Sequence, residues 1–134
     1  MSPSAVIDTH AVIWYLNADA RLSNRAKTFL EDATQRSMPV FISSITLIEI
    51  IYLQEKGKIP AGTLVRLENA LRVQDSVLQV ADLTTAVAMA VSRVSRDDIP
   101  DMPDRIIAGT ALHFGVPVIS RDGKIKSSLL ATIW

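Results

Sequence analysis

Four acidic side chains at the edges of apolar segments are the residues of this sequence best suited to do chemistry. They are Asp8, Glu49, Asp104 and Asp122. Carboxylates that crowd into one pocket repel one another, and a cation bound among them relieves that repulsion. Oxygen ligands of this kind suit magnesium, manganese or calcium rather than softer metals. If the fold brings these acids together, the sequence predicts a site for hard divalent cations.

Each acid also has a structural explanation when it is taken alone. Asp8 and Asp104 could cap the helices that follow them, because aspartate is a favoured N-cap residue. Glu49 could complete a capping box with Thr46, and Asp122 with the glycine after it is an ordinary turn signal. Four separate structural roles leave the mutual repulsion unexplained, whereas two bound cations can activate a water molecule and stabilise the leaving oxygen of a phosphodiester. We therefore favour the chemical interpretation.

Hydroxyl and guanidinium side chains beside these acids have two interpretations each. Thr9 and Ser120 could hydrogen-bond a ligating carboxylate, or they could satisfy backbone amides in tight turns. Arg105 and Arg121 adjoin acids of the set and could contact a phosphate, or they could be solvated surface arginines. The sequence leaves these alternatives open.

The histidines and the first aromatic residues are given structural roles. His10 and His113 have no partner at metal-ligand spacing, so we interpret both as structural. Trp14 and Tyr15 lie in a predicted helix, and we expect them in the core or an interface rather than as platforms for stacking bases. The chain has no cysteine, which excludes thiolate metal sites and cysteine nucleophiles.

Apolar strands that alternate with helices must position these residues. Strands are expected at residues 5–7, 40–42, 77–80 and 117–120, with a short edge strand at 132–134. Helices are expected at residues 11–16, 44–56 and 104–114. Three further helices are expected to begin after a cap at Ser23, at Pro60, and after a cap at Thr84 or Thr85. Residues 97–103 are expected to form a loop. This alternation predicts an α/β fold with a parallel sheet of four to five strands covered on both faces. Sites in such sheets form at the carboxyl ends of the strands, where Asp8 and Asp122 are expected.

The composition is that of one compact domain spanning residues 1–134. With 134 residues and 49% hydrophobic content, the chain is long enough for one core and too short for two. Lys plus Arg and Asp plus Glu are both 14, so the net charge neither indicates nor excludes a nucleic-acid partner. The amino terminus lacks the pattern of a secretory signal, and no apolar run is long enough to span a membrane. A cytoplasmic protein is expected.

Four segments, in order, resemble the motifs of the PIN-domain superfamily, and specifically those of VapC-type toxins from bacterial toxin–antitoxin pairs. They are residues 6–14 (VIDTHAVIW), 43–50 (SSITLIEI), 103–112 (PDRIIAGTAL) and 117–122 (PVISRD). The third segment is the most specific match. The resemblance covers nearly the whole chain.

This resemblance implies a three-layer α/β/α fold and endoribonuclease activity on an RNA substrate. It implies that magnesium or manganese is bound by Asp8, Glu49, Asp104 and Asp122, with Thr9, Ser120, Asp101 and Arg105 in supporting positions. Asp101 is included because its position is often acidic in this group. The resemblance also implies a homodimer, and a small VapB-type antitoxin that inhibits the enzyme by docking near the site.

Two other functions are compatible with parts of the pattern. A response-regulator receiver domain is also a small doubly wound sheet with an acidic magnesium pocket, and Asp82 could mimic its phosphoacceptor. A receiver should have adjacent acids after the first strand, where this chain has Asp8, Thr9 and His10, and it should lack Glu49 in its apolar helix. A non-catalytic PIN-like module for protein contacts is the second alternative, and the presence of all four acids argues against it.

No motif specifies the RNA target or the partner surface. Six basic residues are candidates for contacts with the RNA backbone: Arg66, Arg72, Arg93, Arg96, Lys124 and Lys126. The predicted helix 44–56 is apolar on nearly every side, so other structure or a partner should enclose it. This helix and the stripe of Leu64, Leu67 and Leu71 could bury an antitoxin helix or a second subunit. Ordinary core packing explains both equally well.

Overall fold

Five parallel strands form the central sheet of the computed structural model, which describes residues 3–126, 128 and 130–134. Among these residues the strands are β1 (Ala5–Ile7), β2 (Val40–Ser43), β3 (Leu78–Ala81), β4 (Val118–Ile119) and β5 (Thr132–Ile133). Their order across the sheet is β3-β2-β1-β4-β5, and every neighbouring pair is parallel. The predicted parallel sheet of four to five strands is therefore confirmed, with β1 at its centre.

Helices cover both faces of this sheet, which confirms the three-layer α/β/α arrangement. In the described part of the chain they are α1 (Thr9–Leu16), α2 (Asn24–Gln35), α3 (Ser44–Glu55), α4 (Thr63–Arg72), α5 (Thr85–Ala90), α6 (Met102–Phe114) and α7 (Gly123–Lys126). A short 3-10 helix, Val91–Arg93, follows α5 directly.

Alternate residues of β1 pack into two hydrophobic cores on opposite faces of the sheet. Ile7 belongs to the first core, together with Leu30 of α2 and Leu67 of α4. Val6 belongs to the second core, together with Ile107 of α6. A central parallel strand is buried on both faces, so its sequence is a continuous apolar run rather than an alternating one. The leucine stripe of α4 is thereby assigned to ordinary core packing.

Two of the predicted helix starts are confirmed by capping hydrogen bonds. Ser23 accepts from the amide of Ala26 at 3.1 Å, and Thr84 accepts from the amide of Val87 at 3.2 Å. Thr84 rather than Thr85 is therefore the cap of α5. Both side chains satisfy an amide that has no partner within its helix.

The helix predicted to open at Pro60 begins instead at Thr63. The amide and the hydroxyl of Thr63 both donate to the Pro60 carbonyl, at 3.2 and 2.7 Å, so residues 60–63 form a turn. Gly62 occupies the N-cap with φ 88°, a left-handed conformation that glycine adopts without a steric penalty. The proline therefore starts a turn, not the helix.

The spacing of Val87, Val91 and Val94 predicts that all three valines face inward on one helix after Thr84. The structure does not form one α-helix over this segment. The α-helix ends at Ala90, because Val91–Arg93 is a 3-10 helix. Gly109 of α6 packs against this segment, where an added Cβ would lie 2.8 Å from Cγ2 of Val91 and 3.1 Å from its Cα. The close approach of the two segments therefore requires glycine at position 109.

The predicted loop 97–103 overlaps the first turn of α6. This helix begins at Met102 because Asp101 caps it, accepting a hydrogen bond from the amide of Asp104 at 3.2 Å. Pro103 is tolerated in the first turn, where an amide would have no intrahelical partner. Asp104, which was considered from sequence as a possible cap of this helix, lies instead within its first turn.

One side of α3 remains exposed. Thr46 and Ile50 are buried, whereas Ile48 and Tyr52 are 49% and 58% exposed. Val65, on the adjacent α4, is 57% exposed. The rest of the chain therefore encloses only part of the surface of α3, although the sequence predicted that nearly all of it would be enclosed. Across the residues described, no helix is both long and apolar enough to cross a membrane.

Candidate active site

A cleft of about 400 Å³ at the carboxyl ends of β1 and β4 collects the acidic residues. Five carboxylates line it: Asp8, Glu49, Asp101, Asp104 and Asp122. They come from the end of β1, from α3, from the start of α6 and from the turn after β4. The four acids predicted from sequence therefore share one cleft with the acid predicted to support them, as expected for a parallel sheet.

Asp8 both caps α1 and lines this cleft, which are the two roles considered for it from sequence. Its carboxylate caps α1, accepting from the amide of Ala11 at 2.9 Å, and its own amide donates to Ile119 of β4 at 3.1 Å. Burial raises the pKa of Asp8, and hydrogen bonds from Ser120 and Ala11 offset part of that rise. The cap therefore orients a carboxylate that also lines the cleft.

Glu49 is held by a hydroxyl rather than by a capping box. Ser43 caps α3, accepting from the amide of Ile45 at 3.3 Å, so the alternative of a capping box with Thr46 is excluded. Thr9 donates a hydrogen bond to the Glu49 carboxylate instead. Burial raises the pKa of Glu49, the hydrogen bond from Thr9 lowers it, and the negative charge of Asp101 raises it further.

Asp104 lies among the negative charges of the other four acids of the cleft. Its pKa is raised from 3.8 to about 7, first by burial and then by the negative charges of Asp101, Asp122, Glu49 and Asp8. Burial and nearby like charges both disfavour the ionised form of this aspartate, and a cation bound among the acids would offset the like charges.

Ser120 and Asp122 form the turn that follows β4. Ser120 is buried and accepts a hydrogen bond from the Asp122 amide at 2.9 Å. The Asp122 carboxylate accepts from the amide of Lys124 at 2.8 Å and also lines the cleft. Both interpretations of the serine hydroxyl therefore apply, because it also donates to Asp8.

The donor set of this cleft fits a hard divalent cation. All five acidic side chains supply oxygen, and their mutual repulsion is what a bound cation would relieve. Among the described residues, no three acidic or histidine side chains lie close enough to hold one ion as they stand. The fold thus gathers the ligands without fixing a coordination geometry.

The two arginines beside the acids have different surroundings. Nη2 of Arg105 donates to the carbonyls of Val91 and Val94, at 3.1 and 2.7 Å. Arg121 lines the cleft, and its guanidinium lies 4.5 Å from the centroid of the Trp14 ring. Of the residues described, those lining the cleft include neither Arg105 nor any of the six basic residues considered as RNA contacts.

His10 and Trp14 also line the cleft, although structural roles were predicted for both. His10 is exposed in the first turn of α1, and its position two residues after Asp8 was the available signal. Trp14 is buried, as predicted, but its ring contacts the side chain of Arg121. That contact joins residues far apart in the chain, and no local spacing indicates it.

Asp82, the phosphoacceptor of the receiver alternative, lies outside the cleft. It is exposed and follows β3, which is an edge strand of the sheet. A phosphoacceptor needs the acidic pocket beside it, and here the pocket is built around β1 and β4. The receiver interpretation is therefore wrong.

Comparisons with known proteins agree with this architecture. The solved structures similar to this chain include VapBC2 from Rickettsia felis bound to a DNA fragment from its promoter, and a toxin–antitoxin complex from Klebsiella pneumoniae. The first has a TM-score of 0.71 at 19% identity, covering 96% of both chains. The second has a TM-score of 0.65 at 22% identity, covering 98% of this chain and 97% of the other. At these identities the likeness shows the fold. No curated protein matches the sequence. The family model of the PIN domain matches residues 5–127, and the chain therefore belongs to the PIN domain family.

Proposed function

We propose that this chain is a metal-dependent endoribonuclease, the toxin of a toxin–antitoxin pair, with residues 1–134 acting as one catalytic domain. The observation that carries the proposal is the convergence of five carboxylates in one cleft. Burial and their repulsion together raise the pKa of Asp104 to about 7, and cations bound in the cleft would offset that repulsion. Membership of the PIN domain family supports the same conclusion.

Asp8, Glu49, Asp104 and Asp122 would hold magnesium or manganese, with Asp101 at the rim. Bound cations of this class supply an activated water and stabilise the leaving oxygen of a phosphodiester. The protein's part is to hold the carboxylates in place. Asp8 is fixed by the amide of Ala11, and Glu49 is fixed by the hydroxyl of Thr9.

The raised pKa of Asp104 also affects whether this acid is ready to bind a cation at neutral pH. With its pKa at about 7, the carboxyl group of Asp104 keeps its proton in a large fraction of molecules at neutral pH. That proton must leave before the carboxylate can act as a ligand, because metal ligands bind in their deprotonated form. Burial also raises the pKa values of Asp8 and Glu49, so the same requirement applies to them.

The proposed partners are RNA as substrate, a VapB-type antitoxin, and a second copy of the chain in a homodimer, all in the cytoplasm. Toxin–antitoxin complexes are among the structures with the same fold. Ile48 and Tyr52 on α3, with Val65 on α4, expose apolar surface that a protein partner could cover. These observations support a partner without distinguishing the antitoxin from the second subunit.

RNA cleavage by purified protein tests the catalytic proposal. We expect discrete products from total RNA in magnesium, and none with a chelator or with Asp104→Asn. Asp82→Asn is the matched control, because it removes an exposed acid outside the cleft and should leave cleavage unchanged. Equal products from the Asp104→Asn protein would contradict the proposal.

Manganese binding separates the enzyme from a non-catalytic PIN-like module. A catalytic domain should bind manganese and lose that binding on Asp8→Asn, whereas a module for protein contacts should be indifferent to both. The toxin assignment is tested in cells. Expression should arrest growth, and co-expression of a small neighbouring gene should relieve the arrest.

A further inference from the structure

The acidic cleft must admit a polyanion if the proposed function is correct. Five carboxylates repel the phosphates of an RNA strand, and bound cations offset only the charge nearest to them. Among the described residues that line the cleft, Arg121 is the only arginine or lysine. A guanidinium can bind a phosphate through two parallel hydrogen bonds, so this side chain is the natural attachment point for the substrate backbone.

Arg121 is not neutralised by the acids around it. Within residues 3–126, 128 and 130–134, its guanidinium forms no ion pair with the carboxylates of the cleft. It lies instead over Trp14, with Cζ 4.5 Å from the ring centroid. The side chain is exposed, so its hydrogen-bond donors are available to a ligand. Stacking on an aromatic ring orients a guanidinium while leaving its edge free.

Trp14 is a fixed platform for this arginine. Its side chain is 5% exposed and packs against Trp134, with ring centroids 5.7 Å apart. Arg21 also approaches the ring, at 5.2 Å, but its guanidinium is paired with Asp19 at 2.7 Å. Arg21 is thus held in an ion pair, whereas the part of the chain that the structure describes shows no ion pair for Arg121.

We propose that Arg121 binds a phosphate of the RNA strand at the mouth of the cleft, and that Trp14 is the positioning residue that holds its guanidinium there. This inference rests on the proposed function, because it assumes that RNA is the substrate. From sequence, both Arg105 and Arg121 were candidates for a phosphate contact, and Arg105 was the arginine named in a supporting position.

Binding of a labelled RNA measures the contribution of Arg121 without relying on catalysis. The probe is a fluorescent single-stranded RNA of mixed sequence and about 20 nucleotides, longer than a typical single-strand site. All proteins carry Asp104→Asn so that the probe stays intact, and affinity is measured across a series of salt concentrations. Arg121→Gln is compared with Arg36→Gln. Arg36 is exposed and precedes β2, so it lies toward the amino ends of the strands, away from the cleft at their carboxyl ends.

Arg121→Gln should weaken binding about tenfold at low salt, the loss expected for one charge-assisted contact. It should also reduce the slope of log affinity against log salt by about 0.7, the value for one phosphate contact on a single strand. Arg121→Lys should keep most of the slope and lose part of the affinity. Arg36→Gln should change neither quantity. An Arg121→Gln protein with the affinity and slope of its Arg36→Gln counterpart would overturn the inference.

A double-mutant cycle tests the role of Trp14. Trp14→Leu should weaken RNA binding in the protein that retains Arg121. It should have little further effect in the Arg121→Gln protein, because both changes remove the same contact. Trp14→Phe retains an aromatic face and should retain most of the affinity. Thermal unfolding of each variant separates lost binding from lost structure. Full additivity of the Trp14→Leu and Arg121→Gln effects would refute the positioning role.

These outcomes distinguish the two proposals. If RNA binds but Arg121→Gln changes nothing, the inference fails while the nuclease proposal stands. If Arg121→Gln reduces binding but the unmodified protein cleaves no RNA in magnesium, the nuclease proposal fails while the phosphate contact stands. If the protein binds no RNA at any salt concentration, both fail.

Discussion

The hydroxyl of Thr9, the first residue of α1, donates a hydrogen bond to the Glu49 carboxylate on α3. The hydroxyl of Thr46 lies 3.0 Å from that of Thr9. A hydroxyl has one proton to donate, so Thr46 donates to Thr9 while Thr9 donates to Glu49. This chain of hydrogen bonds lets a carboxylate lie in an apolar helix, because it favours the ionised form against the effect of burial.

Thr9→Val should therefore weaken metal binding without unfolding the protein. The change keeps the shape of the side chain and removes the hydrogen bond that lowers the pKa of Glu49. We expect manganese affinity at neutral pH to fall about tenfold, as for other groups that orient a metal ligand. Titration calorimetry measures this loss. Thr34→Val is the control, because its hydroxyl donates only to the Leu30 carbonyl within α2. Equal manganese affinities in the two variants would contradict the role of Thr9.

The stability of the metal-free protein should fall as pH rises from about 5 to about 8. The pKa of Asp104 is about 7 in the folded protein and 3.8 ordinarily, so the folded state binds this proton more tightly than the unfolded state. The resulting stabilisation is complete below the ordinary pKa and is lost as pH rises through about 7. Thermal unfolding across this range measures the trend.

Asp104→Asn should remove much of this decline, because asparagine has no proton to lose. Manganese should raise the unfolding temperature of the unmodified protein more at about pH 8 than at about pH 5, since binding requires deprotonated ligands. A decline of the same size in Asp104→Asn would show that another group is responsible.

Arg105→Ala should destabilise the fold and leave the salt dependence of RNA binding unchanged. Its guanidinium satisfies the Val91 and Val94 carbonyls where the 3-10 helix ends. Losing two charge-assisted hydrogen bonds should cost about 1.5–3 kcal/mol of unfolding free energy. Urea denaturation measures this cost, with Arg93→Ala as an exposed control. A stable Arg105→Ala protein with reduced RNA binding would reverse the roles given to the two arginines.

Gly109→Ala should lower the free energy of unfolding by about 1–3 kcal/mol, even though alanine is the better helix former. The added Cβ would meet backbone atoms of Val91 at 3.1 Å as well as its Cγ2 at 2.8 Å. Val91→Ala in the same chain should recover part of the loss, because the backbone contacts remain. Gly123→Ala is the comparison, since no atom of the described residues outside its immediate neighbours lies within 4 Å of its added Cβ. Equal stability of Gly109→Ala and the unmodified protein would show that the two segments can separate.

Much of the fold follows from local patterns in the sequence. Short apolar runs buried on both faces predict parallel strands, and the polar residue that ends a run marks the edge where sites form. Asp8 and Asp122 were found in this way, and their presence in one cleft follows from the order of the strands. Ser23 and Thr84 were found as caps because a cap acts on residues two or three positions away.

Only the tertiary structure decided which neighbours serve the cleft. Arg105 and Arg121 each adjoin an acid of the site in the sequence. In the structure, Arg105 donates to the carbonyls of Val91 and Val94, whereas Arg121 lies over Trp14. Thr46 lies three residues before Glu49, the spacing of a capping box, but its hydroxyl forms a hydrogen bond with that of Thr9 instead. The spacing of residues along the chain determines contacts within one helix or turn. The directions of side chains across separate elements depend on how those elements pack, which no local pattern contains.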